Sequence, residues 1–212
     1  MSIVQSLAQR IIGVRKDEEG PILVAICGWA DTGKSTLAAA LCGTLKTHRI
    51  SADWISTDAF LKNRADRNKL GISGYNPFSI NAEELSVAVA MIASGQKYIY
   101  YPYDNRLGTK APISRTISPE SVIVIEGIHA FHAVIRERCC LRVFIHSDEE
   151  TLRAMRARAN VCKRGMNDAD AWKLIEAELR EFRDFILPGK TLAHVCVSVS
   201  LTFEYAIEEF CP

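Results

Sequence analysis

Gly28-Trp29-Ala30-Asp31-Thr32-Gly33-Lys34-Ser35, a G-x-x-x-x-G-K-S sequence, decides the fold. An apolar run, Ile22-Leu23-Val24-Ala25-Ile26-Cys27, precedes it, and an alanine-rich stretch of helical character, Ser35 to Lys46, follows. Strand, glycine-rich loop and helix, in that order, are the setting in which this pattern cradles phosphate. Consecutive backbone N–H groups at a helix start form a concave anion site, and the helix dipole favours negative charge there. Chance matches to the bare pattern occur in about one chain in a hundred of this length, and the flanking elements lower that further. The expected phosphate-side residues are Gly28, Asp31, Thr32, Gly33, Lys34, Ser35 and Thr36. Lys34 is placed to reach the β- and γ-phosphates of a nucleotide, and Ser35 to hold Mg²⁺. Asp31 is expected to turn its carboxylate away from the phosphates.

Composition narrows the classes. The chain has 212 residues, 48% of them hydrophobic, and a net charge of +1, which predicts one domain with a sizeable core. That charge balance argues against a nucleic-acid or anionic-membrane partner. Its seven cysteines are odd in number, sit mostly inside apolar runs and show no zinc spacing, so they read as free thiols in a reducing compartment. No stretch is long enough to span a bilayer, and the N-terminal residues lack a signal-peptide pattern. A cytoplasmic protein is the expectation.

Around the loop, strands and helices alternate. Ile3, Val4, Leu7, Ile11 and Ile12 fall at helical spacing within Ser2 to Arg15. Residues 15–21 read as a charged linker, so that residues 1–20 form a helix and its connection. Ala52 to Thr57 reads as a strand, with Asp58 just past its C-terminal end. Open α/β sheets bind ligands there, although an aspartate capping the next turn would look the same. Lys62 to Ile80 is polar and irregular, and a loop this long is usually functional or mobile. Asn81-x-x-Glu84 starts a helix that stops at Gly95. Ser121-Val122-Ile123-Val124-Ile125-Glu126-Gly127 reads as a strand buried on both faces that ends in an acid able to contact Mg²⁺ or its waters. A helix is expected over about 129–138 and a strand over 141–145, then a helix opened by Ser147-x-x-Glu150. The arginines of that helix, Arg153, Arg156, Arg158 and Arg164, fit either a solvated face or a lid (residues 153–166) that clamps phosphoryl oxygens. Asn167 caps a long helix running to Pro188-Gly189. A last strand over 194–199 and a closing helix over 203–210 complete the pattern. The alternation predicts an α/β fold: a parallel sheet with helices on both faces in three layers.

Taken together, Ser56-Thr57-Asp58-Ala59-Phe60, Ile99-Tyr100-Tyr101-Pro102-Tyr103-Asp104, Val124-Ile125-Glu126-Gly127-Ile128-His129-Ala130-Phe131 and Arg164-Gly165 resemble the uridine kinase and phosphoribulokinase family of P-loop kinases. The resemblance runs from Leu23 to about Val197. It implies an ATP- and Mg²⁺-dependent transfer of the γ-phosphoryl group to a hydroxyl of a small metabolite, with a nucleoside or other ribose-like acceptor expected first. By position it makes Asp58 the carboxylate that receives the attacking hydroxyl, orienting it more than acting as a strong base. It makes Lys34 and Ser35 the ATP and Mg²⁺ residues, Glu126 the second metal-side residue, and Arg156 and Arg164 the lid arginines. It makes residues 62–112 the acceptor-side segment, on which Tyr75, Tyr103 and Asp104 fall.

The departures matter too. Tyr75 stands about where uridine kinases hold the ribose hydroxyls with an aspartate. Leu107-Gly108-Thr109 replaces a base-contacting histidine, Met155 and Met166 replace arginines, and His194 stands where an aspartate is expected. A site that reads sugar hydroxyls discriminates through such polar groups, so uridine itself does not follow. Sugar, sugar-phosphate and pantothenate-like acceptors stay open, as does a nucleotide-binding regulator with slow ATPase activity. Homo-oligomerisation is also left open.

Overall fold

The computed structural model describes residues 2–15 and 20–210, and the side chains of Lys163, Arg164, Asp168, Glu209 and Phe210 lie outside that description. Most of the expected linker, Lys16 to Glu19, also lies outside it. The first strand, β1 (Ile22–Gly28), is buried at every position, as a strand covered on both faces must be. Its alternate residues serve different layers. Ile22, Val24 and Ile26 meet Leu7, Ala8 and Ile11 of α1 (Ile3–Arg15) and Leu37, Leu41 and Leu45 of α2 (Lys34–Thr47). Leu23, Ala25 and Cys27 face the opposite layer, built from α4 (Ala82–Ala93) and α7 (Asp168–Glu181). The period-2 alternation of strand side chains thus sorts one apolar run into two cores.

The central sheet is completed by β2 (Ala52–Ser56), β7 (Val122–Glu126), β8 (Cys139–His146), β9 (Val195–Val199) and β10 (Tyr205–Phe210), in the order β10-β9-β8-β1-β7-β2. All neighbours pair in parallel except β9 and β10, which are antiparallel. The three-layer α/β architecture is as read from the sequence. Between α2 and β7 the chain forms α3 (Arg64–Lys69) and two small antiparallel pairs. The first joins β3 (Tyr98–Tyr100) to β6 (Arg115–Ile117), and the second joins β4 (Tyr103–Asp104) to β5 (Thr109–Lys110). The remaining helices are α5 (Ala133–Arg136) and α6 (Glu149–Arg164).

Four expectations change. Residues 203–210 form no helix: 205–210 are the antiparallel edge strand β10. Phe203, Ile207 and Phe210 mimic a helical period, but Tyr205 and Ile207 alternate with solvent-facing residues and pack on the core, where strand pairing to β9 prevails. The segment 62–80 is not wholly irregular, because it holds α3. The helix expected over about 129–138 shrinks to α5. The cap of α6 is Asp148, whose carboxylate accepts the Thr151 N–H at 2.8 Å. An aspartate one residue further on thus displaced Ser147, since a charged acceptor suits a helix start better than a hydroxyl. Asn81 and Asn167 cap as expected, accepting from Glu84 N–H at 3.2 Å and Asp170 N–H at 2.9 Å.

Candidate active site

Strand register assembles the site. Ile26 of β1 and Ser56 of β2 both pair with Glu126 of β7. The carboxyl ends of three adjacent strands therefore place the glycine-rich loop, Glu126 and Asp58 side by side. They open into a cleft of about 930 Å³ lined on one wall by Ala30, Asp31, Gly33, Lys34, Ser35 and Thr36. Asp58, Arg64, Arg67 and Asn105 line it on another.

The loop's geometry follows from its residues. Gly33 has φ 83° and Asp31 φ 61°, left-handed values that suit glycine and, among other residues, aspartate and asparagine. A Cβ at Gly33 would strike the Tyr205 hydroxyl, which donates to Thr32 O at 3.0 Å. Tyr205 of the unforeseen β10 thus buttresses the loop. Trp29 is fully buried, stacked on Tyr75 at 4.7 Å and edge-on to Phe182 at 4.8 Å. Gly28 and Thr32 do not line the cleft. Gly28 lies against the Ile145 carbonyl, and Thr32 donates its hydroxyl to Trp29 O at 2.8 Å.

Lys34 is buried, and its ammonium donates to Trp29 O at 2.5 Å. No described carboxylate pairs with it. A buried cation with only a carbonyl partner beside open helix N–H groups fits a bound polyphosphate. Ser35 Oγ donates to Glu126 Oε1 at 2.9 Å. Burial pushes the Glu126 carboxyl above its usual range, Asp58 adds to this, and Lys34 with hydrogen bonds from Ser56 and Ser35 opposes it. A buried carboxylate and a hydroxyl, both oxygen donors, suit a hard divalent cation such as Mg²⁺. Gly127, directly after Glu126, has φ 139°, and a Cβ there would run into Thr57 Oγ1. Gly127→Ala is expected to cost about 2 kcal/mol or more in stability, read as a lower Tm, and to displace Glu126. A melting point within a degree of the parent would refute this.

The acceptor wall differs more from expectation. Asp58 is half-buried at the end of β2; its backbone N–H is capped by Ser56 Oγ at 3.3 Å, and Asn105 Nδ2 donates to its Oδ2 at 3.4 Å. Tyr75 is almost wholly buried, although it still lines the cleft. Its hydroxyl accepts the Ala30 N–H at 3.2 Å, and burial raises its pKa well above the usual phenol value. Asp104 accepts the N–H groups of Arg106 (2.8 Å) and Leu107 (3.0 Å), which caps its own turn and lowers its pKa. It lies outside the cleft lining. Tyr103 borders a smaller recess beside Asp58 and accepts from Arg67 at 2.9 Å.

Arg156 is not held open on a lid. It is buried in a triad, donating to Asp31 Oδ2 at 2.7 Å and to both carboxylate oxygens of Glu178, one at 2.7 Å and the other at 2.5 Å. Burial alone would depress its pKa, but Glu178, Tyr75 and Asp31 outweigh that and raise it. Asp31 directs its carboxylate to this arginine while still lining the cleft. The Arg164 side chain lies outside the described residues. Sequence reading missed Arg64 and Arg67 because only the folding of α3 turns them into the cleft, and Asn105 because the β4–β5 turn carries it to Asp58 from 47 residues away. It also missed His129, whose Nε2 lies 2.8 Å from Gly74 O and fastens the 71–76 loop to the end of β7.

A glycine-rich loop and two acids at the carboxyl edge of a parallel sheet are the arrangement of a P-loop kinase fold. The chain belongs to the phosphoribulokinase / uridine kinase family, whose model matches residues 23–204. It is 25% identical over 193 residues to "Uridine kinase-like protein 3" of Arabidopsis thaliana, covering 86% of this chain and 40% of that protein. The chain thus spans about two fifths of that relative's length. It is 25% identical over 182 residues to the uridine kinase of Chloroflexus aurantiacus, covering 82% of this chain and 85% of that one. The fold superposes on D-glycerate 3-kinase from Cryptococcus neoformans with a TM-score of 0.74 at 16% identity, over 99% of this chain and 100% of that one.

Proposed function

We propose that the protein is a kinase that transfers the γ-phosphoryl group of ATP to a hydroxyl of a small metabolite. One observation carries the reading: Asp58 shares a cleft with Lys34, Ser35 and Glu126, beside the loop. A protein that merely held or hydrolysed nucleotide would have no need of an acceptor-side carboxylate there.

Lys34 and the loop N–H groups would hold the phosphates, and Ser35 and Glu126 would hold Mg²⁺. When bound, the metal neutralises charge on the phosphate oxygens. Asp58 accepts the hydrogen bond of the acceptor hydroxyl and points its oxygen at the γ-phosphorus. A new O–P bond forms as the bond to the bridging oxygen of ADP breaks, and the hydroxyl proton leaves by way of the Asp58 carboxylate. Tyr75 and Arg156 act on the loop: the first holds Ala30, the second Asp31.

The test is ADP release with Mg²⁺-ATP against a panel of nucleosides, sugars, sugar phosphates and hydroxy acids. At least one acceptor is expected to raise turnover at least tenfold above ATP alone. Flat turnover across the panel would favour a nucleotide-binding regulator with slow ATPase activity.

A further inference from the structure

Two arginines line the cleft in a buried state, Arg67 and Arg156, at 8% and 7% exposure. The protein treats them oppositely. Arg156 has two carboxylates against it, Asp31 and Glu178. Arg67 has neutral partners only. Its Nε donates to Lys62 O at 3.1 Å, one terminal nitrogen donates to Tyr103 Oη at 2.9 Å, and its guanidinium carbon lies 5.9 Å from the centre of the Tyr103 ring. Among the described residues no carboxylate forms an ion pair with it. The acids that line the cleft are engaged elsewhere. Asp31 and Glu178 bind Arg156, Glu126 accepts from Ser35, Glu181 accepts from Ser73 N–H at 3.2 Å, and Asp58 accepts from Asn105.

A guanidinium carries five N–H donors, and two of Arg67's have protein acceptors. Its other terminal nitrogen abuts Gly74, 3.1 Å from where a Cβ would stand, and both residues line the cleft. Burying a charge without a counter-ion is costly, and the counter-ion this geometry accommodates is one that arrives in the cleft. Arg64 and Arg106 line the same wall, likewise without an ion pair among the described residues, and extend its positive potential.

We propose that the acceptor carries an anionic group, a carboxylate or a phosphate, which Arg67 binds through its remaining N–H edge while the acceptor hydroxyl meets Asp58. A pair of carboxylate or phosphate oxygens matches that edge in a way an uncharged sugar or nucleoside does not. This inference rests on the kinase reading and deepens it: the substrate class is a small hydroxylated anion. It also accounts for Tyr75. The residue standing where a ribose-holding acid is expected turns into the core, and the recognising charge comes from α3 instead.

The experiment is calorimetry on the full chain saturated with Mg²⁺ and a non-hydrolysable ATP analogue, so that the phosphate loop is filled. Inorganic phosphate, malonate and ribose are titrated separately. Phosphate or malonate is expected to bind and ribose not to, and whichever anion binds names the group. Arg67→Gln should weaken that binding at least tenfold and leave the analogue's affinity within threefold. Arg67→Lys, which keeps the charge without the planar fork, should fall between. With any active acceptor, Arg67→Gln should raise the acceptor KM at least tenfold while the ATP KM holds. The proposal is overturned if neither anion binds the parent protein, if the Gln variant binds as the parent does, or if the ATP KM rises in place of the acceptor's. Should Arg67→Gln fail to fold, the anion titration of the parent still decides. Flat turnover across the acceptor panel would sink the kinase reading, whereas the anion titration does not depend on turnover.

Discussion

Asp58→Asn is expected to lower phosphoryl transfer by about 10²–10⁴-fold while ATP binds as before. The substitution keeps the shape of the side chain and one oxygen, so the Asn105 contact at 3.4 Å survives with the amide oxygen facing it. The backbone N–H remains capped by Ser56. What is lost is the negative carboxylate that orients the attacking hydroxyl and takes its proton. The loss should therefore appear in kcat, with acceptor KM changing little and ATP KM not at all, because an interaction made mainly in the transition state acts on turnover. Single-turnover transfer with an active acceptor, beside calorimetry with the non-hydrolysable analogue, separates these terms. A kcat within threefold of the parent would remove Asp58 from the mechanism and leave the acceptor wall without a catalytic group. The background hydrolysis of ATP in the absence of acceptor should be nearly untouched, since water in the cleft does not depend on a hydroxyl being held.

The donor half of this site was legible in the sequence because it is contiguous. Loop, preceding strand and following helix are one uninterrupted stretch, and their chemistry follows from backbone geometry. Asp58 and Glu126 were legible because each ends an apolar strand, and parallel strands deliver their carboxyl ends to one edge. The acceptor wall was not, since it is made by a six-residue helix and a two-residue hairpin whose stability comes from tertiary contacts that no local period announces. Arg67 reads as one more charge in a polar run until Tyr103 and Lys62 close around it. Tyr75 was expected on the acceptor side from the resemblance alone, and nothing local announces that its ring also completes a cluster with Trp29 and Phe182. The edge strand β10 was missed because its six residues suit either period, and the partner strand made the choice.

Arg156→Ala is expected to be the most destabilising single change, at about 3–5 kcal/mol, because it takes the arginine from the buried carboxylate of Glu178 and one charged partner from Asp31. Asp31 and Glu178 are only 10% and 7% exposed in their side chains, so water reaches them poorly. At about 2–4 °C per kcal/mol for a domain of this size, Tm should fall by roughly 6–20 °C. The loop should suffer as well. Asp31 sits at φ 61°, and its carboxylate anchor to α6 is part of what keeps the phosphate-binding backbone in place, so ATP affinity should weaken along with stability. Charge, rather than lost volume, is the stated cause, and that can be separated. The triple variant Asp31→Asn, Arg156→Met, Glu178→Met removes every charge of the triad and retains much of its bulk. Asparagine also tolerates the left-handed backbone at position 31. If a stranded charge is what destabilises Arg156→Ala, the triple variant should melt well above it and near the parent. A triple variant as unstable as Arg156→Ala would show that packing of the arginine stem, not its charge, ties α6 and α7 to the phosphate loop. ATP affinity measured on the same triple variant then decides whether the loop needs the ion pair or only a filled contact behind Asp31.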